Sequence, residues 1–452
     1  MDLLKIYNGA KKIHFVGIGG VSVSAIAEHA LLDGKSVKGS DVVQNSMTKR
    51  LATLGANINI GHKKENVYGA DIVVATSAVG EDNVEIAYAR QIGIPIFKRS
   101  QVLGAILSGY KKVIAVSGSH GKTTATAMIS EALISSGINP TAFVGGETKS
   151  FGNFRKGEHV VAITEACEYQ KNLLDLSPDV AVILNVDNDH MDSYQDKEDL
   201  LNTFRLFSQK SLRVINADDE NLRATSGLAA ISFAINNPAH YAAERIKYNG
   251  KGYSFTVRAY SALKERINLK IGGIHNVYNA LATYAVCDLF GMSSKKIKVA
   301  LENFSGVKRR NEVIGQIFNK QVVADYAHHP REIEAILNTH RIDKDVAVIF
   351  QPHTYSRTKL LMREFVDVLV NVENLFIYKT YAAREEYDFS GSAINLANNL
   401  NSSGKECKYI DNEEQLCVEI AAMNPRIKKI LVLGAGDIYD IVKNLMDKNK
   451  EL

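Results

Sequence analysis

The chain has 452 residues, too many for a single hydrophobic core, and at roughly 100–200 residues per domain it predicts about three domains. Hydrophobic residues make up 46% and charged residues 23%, the balance of an ordinary globular protein rather than a disordered or fibrous one. The net charge of +4 is scattered in lysine doublets such as Lys11 with Lys12, and no aromatic-studded basic run accompanies them, which argues against a nucleic-acid partner.

No apolar run reaches the roughly 18 residues of a membrane span, and the polar start MDLLKIYNGAKK does not read as a signal peptide. Cys167, Cys287, Cys407 and Cys417 show no CxxC pairing and read as reduced thiols of a cytoplasmic protein. Strand-like and helix-like runs then alternate from end to end, which predicts an α/β fold with parallel sheets.

The first strand, IHFVGIGG, runs into a glycine turn at Gly17, Gly19 and Gly20, and a helix follows to about Leu32. SVKGSD ends at Asp41, and ADIVVATSAV ends in a polar turn at Thr76 and Ser77. This is a Rossmann-like start, but Ser22 stands where a third glycine would complete the dinucleotide fingerprint. NAD, another nucleotide diphosphate and a plain tight turn all remain open. A break near 109–112 marks a domain boundary.

The next strand enters VIAVSGSHGKTT, residues 113–124, a compact G-x-x-G-K-T turn ahead of a helix. Such a turn aims backbone N–H groups and a helix N-terminus at one point, where Lys122 neutralises a phosphate and the Thr123 hydroxyl holds Mg²⁺. Val116 occupies the place of the usual first glycine. EHVVAITEACEY then carries Glu165 and Glu168 just past an apolar run, and DVAVILNVDNDHMD carries Asn185, Asp187, Asp189, His190 and Asp192 past the next. Ligands of open α/β sheets gather beyond the carboxyl ends of strands, so Glu165 and His190 could hold Mg²⁺ there, a structural hydrogen bond being the other reading of His190. Glu168, Asp187 and Asp189 read as helix caps or water-facing acids. Short β-like pieces (LRVIN, ISFAI, YSFTVR, INLKI) lead to a helix from His275, whose Asn276 and Asn279 suit local backbone bonding or a base edge.

A second boundary falls near Gly306. Four more strands follow (VVAD, DVAVIF, NLFIY, KKILVLG), with polar residues at their ends: Asp325 through Pro330, Gln351 through Arg357, Tyr381 through Arg384, and Gly434 through Asp437. Arg357 sits in the first turn of a predicted helix, where a cation opposes the dipole unless it faces an anion, so it is expected to bind a carboxylate or phosphate.

Taken together, the motifs IHFVGIGG, GSHGKTT, ITEACEY, NVDNDHMDSY, HNVYNALA, GVKRRNEVIG, DYAHHPREI, QPHTYSRT and LVLGAGDIY resemble, in order and spacing, those of the Mur ligase family. DYAHHP with QPHTYSRT is specific to the subgroup that handles muramic acid and its peptides. The compact phosphate loop is that family's own form. The resemblance implies a Rossmann-like UDP-sugar domain (1–110), a central P-loop ATPase-type domain (111–307) and a C-terminal Rossmann-like domain for the amino acid (308–452). It implies the substrates ATP, UDP-N-acetylmuramate and L-alanine, with one or two Mg²⁺ ions.

By the same resemblance Gly17, Ile18, Gly19, Gly20, Ser40, Asp41, Thr76 and Ser77 hold the UDP sugar. Gly118, Ser119, His120, Gly121, Lys122, Thr123 and Thr124 hold the ATP phosphates, beside His275, Asn276 and Asn279, while Arg310 and Asp325 reach ATP from the third domain. Thr123 and Glu165 serve one Mg²⁺, and His190 a second. Tyr326, His328, His353 and Arg357 receive L-alanine, with His353 or His328 as the base. The muramate carboxylate attacks the γ-phosphate, and the alanine amine then attacks the acyl phosphate. A ligase that recycles whole murein tripeptides is the near alternative, and an NAD(P)-dependent oxidoreductase the alternative of another class. The resemblance leaves monomer and homodimer open. Cys167, Asn311 and the stretch from Val21 to Val23 depart from the family pattern; the change of Phe to Asn at 311 is expected to alter packing near ATP.

Overall fold

The computed structural model describes residues 3–187, 191–225, 230–340, 344–383 and 385–449. Three sheets organise the chain, which divides into two compact units, residues 1–271 with 275–305, and 272–274 with 306–452.

The first unit begins with a five-stranded parallel sheet in the order Asn57–Ile60, Ser36–Asp41, Lys12–Val16, Ile72–Ala75, Ile96–Lys98. Residues 13–16 are buried on both sides, as expected of a parallel strand covered by helices on each face. The second sheet of this unit has ten strands. Its centre is parallel: Leu212–Asn216, Val180–Ile183, Lys112–Ser117, Val161–Glu165 and Thr141–Thr148 lie side by side. Ala230–Ala234 and Tyr241–Tyr248 extend it in parallel on one side, and antiparallel Tyr253–Ala259 and Ala262–Asn268 finish that edge. The β-like pieces of the sequence are thus a continuation of the nucleotide sheet, with one strand more, Tyr241–Tyr248, than the sequence suggests.

One hydrophobic core runs beneath both sheets of the first unit, from Phe15, Ile26 and Val74 to Phe143, Phe154 and Leu173. A polar bond crosses the same seam: Asn153 Nδ2 donates to the Val21 carbonyl at 2.7 Å. The two sheets of this unit are therefore fixed relative to each other by packing.

The second unit carries six strands in the order Glu312–Ile317, Lys320–Asp325, Lys429–Leu433, Val346–Phe350, Asn374–Tyr378, Lys408–Ile410. Glu312–Ile317 is antiparallel and the others parallel. Cores built on Phe350 and Phe365 on one face, and on Ile349 and Val442 on the other, bury the sheet between helices. Among the described residues, the polar strand ends singled out in the sequence therefore lie at carboxyl edges. No helix among the described residues is long and apolar enough to cross a membrane.

Candidate functional site

At the carboxyl edge of the five-stranded sheet, the Gly17 and Ile18 amides donate to the Ser40 carbonyl at 2.9 and 3.0 Å, and the Gly19 amide donates to Asp41 Oδ2 at 2.8 Å. Gly17 has φ +78°, and a Cβ there would sit 2.6 Å from the Thr76 methyl, so this turn requires glycine. Ile18 is fully buried, which leaves only its backbone to face a ligand. Ser40 and Asp41 brace the loop from beneath, while Ser77 is exposed beside it.

Ser40 leads to a group that sequence reasoning missed. Its hydroxyl donates to Glu85 Oε2 at 2.5 Å, where His14 Nε2 also lies at 3.1 Å, and Asn66 Nδ2 donates to Glu85 Oε1 at 2.5 Å. In sequence, Glu85 looks like an ordinary acid in a helix's first turn. Burial would raise its pKa, but the bonds from His14, Ser40 and Asn66 bring it down from 4.5 to about 2. A depressed carboxylate stabilises the fold fully above pH 4.5, and that contribution is lost as pH falls through 4.5 toward 2. Glu85→Gln is expected to remove about 3 kcal/mol at pH 7 and little at pH 2, read from urea melts at both pH values.

In the ten-stranded sheet, Lys112–Ser117 lies between Val180–Ile183 and Val161–Glu165, and the chain leaves Lys112–Ser117 toward one side of the sheet and its neighbour Val180–Ile183 toward the other. That is a topological switch point, where open α/β sheets bind ligands. Gly118 (φ +134°) and Gly121 (φ +85°) turn the chain into the helix Lys122–Ser135. Asn185, just past Val180–Ile183, holds the loop at two points: its Oδ1 accepts from the His120 amide at 2.8 Å and its Nδ2 donates to the His120 carbonyl at 3.0 Å. The Ser119 amide donates to the Asn185 carbonyl at 3.1 Å. Asn185 had been noted only as a strand-end residue.

Lys122 Nζ donates to the Gly118 and Ser119 carbonyls at 2.5 and 3.0 Å and lies 2.9 Å from Glu168 Oε2. Glu168 is therefore not a cap or a water-facing acid. It is fully buried as the counterion of Lys122, and its carbonyl accepts the Tyr194 hydroxyl at 2.5 Å. Burial would lower the Lys122 pKa, but Glu168, with Cys167 and Glu165 behind it, raises it above the usual lysine value. Glu165 Oε1 accepts from the Gly145 amide at 2.5 Å. Thr123 and Thr124 are buried at the helix start.

His275, Asn276 and Asn279 line up on the helix His275–Leu289. Asn279 Nδ2 donates to Asn276 Oδ1 at 3.0 Å, and Asn276 Nδ2 lies 3.2 Å from His275 Nε2. These bonds run between side chains. A Cβ on Gly121 would lie 2.9 Å from Asn279 Oδ1, so this helix abuts the phosphate loop. His190 and Asp189 lie outside the described residues.

The second unit gathers its predicted residues at one sheet edge. His353 stacks on Tyr381 with ring centroids 5.5 Å apart and meets His328 edge-on at 5.7 Å. Arg357 Nη1 donates to His353 Nδ1 at 3.2 Å, and His328 Nδ1 donates to the Tyr326 carbonyl at 2.9 Å. Tyr326 lies between the guanidinium groups of Arg309 and Arg310, at 4.8 and 5.1 Å. Asp325 accepts from the Asn311 and Ala327 amides at 2.7 and 2.8 Å, and burial pushes its pKa up to about 6. Asn311 has φ +50°, a conformation asparagine tolerates better than larger residues, and His340 Nε2 lies 2.7 Å from its Oδ1. Arg384 lies outside the described residues.

A parallel sheet that delivers a glycine-lysine turn at its switch point, flanked by acid-bearing strand ends, defines a nucleotide-binding α/β protein of the phosphate-loop class. Three domain models of one family cover nearly the whole chain: the Mur ligase family catalytic domain matches residues 12–111, the Mur ligase middle domain residues 116–287, and the Mur ligase glutamate ligase domain residues 309–436. The chain belongs to the Mur ligase family. It is 39% identical over 452 residues to a UDP-N-acetylmuramate–L-alanine ligase of Caldanaerobacter subterraneus subsp. tengcongensis, covering 98% of each chain. It is 40% identical over 439 residues to the enzyme of that name from Aquifex aeolicus, covering 95% of each. Among solved structures, a UDP-N-acetylmuramate-alanine ligase from Thermotoga maritima superposes with a TM-score of 0.84 at 30% identity, covering 97% of this chain and 99% of that one. A murein peptide ligase from Psychrobacter arcticus shares the fold, with a TM-score of 0.75 at 23% identity over 98% and 99% of the two chains.

Proposed function

We propose that this protein joins L-alanine to the carboxylate of UDP-N-acetylmuramate through an acyl phosphate, releasing ADP and phosphate, in peptidoglycan synthesis. The observation that carries the reading is the likeness to UDP-N-acetylmuramate–L-alanine ligases, 39% identical across 98% of both chains, with the phosphate loop intact. Residues 1–110 take the UDP sugar on Gly17 to Gly20, residues 111–307 bind ATP, and residues 308–452 receive the amino acid.

The residues at the loop fit Mg²⁺. Thr123 and Glu165 offer hard oxygen donors, and no cluster of three or more His, Cys, Asp or Glu able to hold a metal occurs among the described residues. Magnesium is commonly held by one or two carboxylates plus phosphate oxygens and water, so so few protein donors suffice. Bound there, the ion would neutralise phosphate charge. Lys122 supplies a fixed cation to the same charge, and the first turn of its helix supplies N–H donors.

The alanine amine must lose a proton to attack. Because only Nδ1–H can donate to the Tyr326 carbonyl, His328 keeps its lone pair on Nε2, available as a base. His353 is the poorer choice: its Nδ1 already accepts from Arg357, and burial, with His328, Arg357 and Arg309 nearby, lowers its pKa to about 3. We assign it to orienting Arg357, which pairs the alanine carboxylate. His328→Ala is expected to slow amide formation about 10²-fold while acyl-phosphate formation persists. Burial lowers the His328 pKa from 6.5, so the acid limb of the wild-type amide step should lie below that value and vanish in the variant. A pH profile of the isolated amide step checks both.

The activity test is direct. The protein is incubated with UDP-N-acetylmuramate, ATP, Mg²⁺ and single amino acids, and phosphate release is followed. L-alanine is expected to trigger release. Silence with every amino acid would refute the ligase reading, and release with the murein tripeptide but not with alanine would move it to recycling.

A further inference from the structure

The register at the edge of the five-stranded sheet sets Val16 beside Ala75 and Ala75 beside Lys98. The glycine loop, Thr76 and Arg99 therefore leave the sheet side by side, with Arg99 about two strand spacings, ~10 Å, from the loop. Arg99 opens the helix Arg99–Leu107, and that helix is fastened to the segment following Glu165. The Ser100 hydroxyl donates to Asn172 Oδ1 at 2.9 Å, and a Cβ on Gly104 would collide with the Asp175 carbonyl oxygen. One arginine thus stands at the edge of the sugar-nucleotide sheet and beside the chain that carries the candidate magnesium ligand.

Arg99 is only partly exposed, and no hydrogen bond or ion pair engages its guanidinium among the described residues. Burial lowers its pKa, opposed by the fields of Cys167, Glu165 and Asp175. Its place at the first residue of a helix sets it against the positive end of the dipole. Two local preferences are broken together, which is the mark of a group awaiting an anion.

We propose that Arg99 binds the lactyl carboxylate of the UDP-linked muramic acid and holds it toward the phosphate loop. This rests on the ligase reading above. The other anion of that substrate, the pyrophosphate, belongs over the glycine loop and the N-terminus of the helix Val21–Leu32, two strands away. The guanidinium fork matches a carboxylate with two parallel hydrogen bonds, fixing its plane as well as its position. The reacting oxygen is thereby oriented before ATP is engaged.

Calorimetric Kd values for UDP-N-acetylmuramate and for UDP-N-acetylglucosamine, the same nucleotide sugar without the lactyl group, test this in the wild-type protein, Arg99→Gln and Arg99→Lys. Arg99→Gln is expected to weaken the first roughly 10- to 100-fold and leave the second unchanged. Arg99→Lys should show a smaller selective loss, because it keeps the charge without the fork. Unchanged affinity for the muramate, or equal weakening of both ligands in a variant that melts like wild type, overturns the assignment and leaves the ligase reading standing. If Arg99→Gln does not fold, the same comparison on Arg99→Lys decides. A wild-type protein that binds the two sugars equally would refute the ligase reading and the Arg99 assignment with it.

Discussion

Lys122→Met is expected to cut ATP-dependent phosphate release by about 10³-fold or more, and to destabilise the fold at the same time. The catalytic loss follows from removing a cation held at the phosphate loop, where charge spreads over the transferring phosphoryl group. The stability loss follows from what stays behind. Glu168 is fully buried and lies 2.9 Å from the lysine nitrogen, so methionine takes away the positive charge that faces it. Breaking such a pair from one side costs about 3–5 kcal/mol, whereas replacing both partners by apolar groups is often neutral. The double variant Lys122→Met/Glu168→Leu should therefore recover most of the stability and none of the activity. Urea melts alongside phosphate-release assays separate the two effects. A single variant with wild-type turnover would sink the role of Lys122, and a double variant as unstable as the single would sink that of Glu168.

Glu165→Gln should lower kcat about 10²-fold and shift the Mg²⁺ requirement upward while the protein melts as before. Stability is spared because the amide oxygen of glutamine still accepts from the Gly145 amide, as the carboxylate does at 2.5 Å. What is lost is the negative charge that a divalent cation requires of its ligand. The check is turnover measured across a Mg²⁺ titration together with a thermal melt. An unchanged titration curve would remove Glu165 from the metal site. Gly145→Ala should reach a related result by a steric route, since its Cβ would lie 2.5 Å from Glu165 Oε2.

The placement of the strand-end residues was legible because an apolar run that stops at a polar residue marks both a strand and its carboxyl end. That rule located Gly17, Lys122, Glu165, Asn185 and Asp325. It could not supply partners. Glu168 follows a strand, as Glu165 does, and only the fold shows which acid meets the lysine. Glu85 sits in a helix first turn, where acids are common, and Arg99 meets the first-turn argument made for Arg357 only once the structure shows that a helix begins there; their meaning comes from a neighbour 71 residues away at His14, and from a sheet register. Tyr241–Tyr248 went unread as a strand because its second half is polar and exposed, with Arg245 at φ +54° breaking the regular pairing. Asn311, expected to alter packing near ATP, takes a left-handed turn and offers its backbone amide to Asp325.

The grip of Asn185 on the phosphate loop also determines which donors remain for an anion. The amides of Ser119 and His120 are both occupied by that residue, and the Ala125 amide closes the helix by donating to the Gly121 carbonyl. The first four N–H groups of a helix have no intrahelical acceptor, so those of Gly121, Lys122, Thr123 and Thr124 are able to face a phosphate. The loop therefore behaves as a strut that sets the direction of a helix end, more than as a nest that wraps its guest. Side-chain changes at Ser119 or His120 should then act by tilting that helix axis, and a lengthened loop would add slack without adding donors.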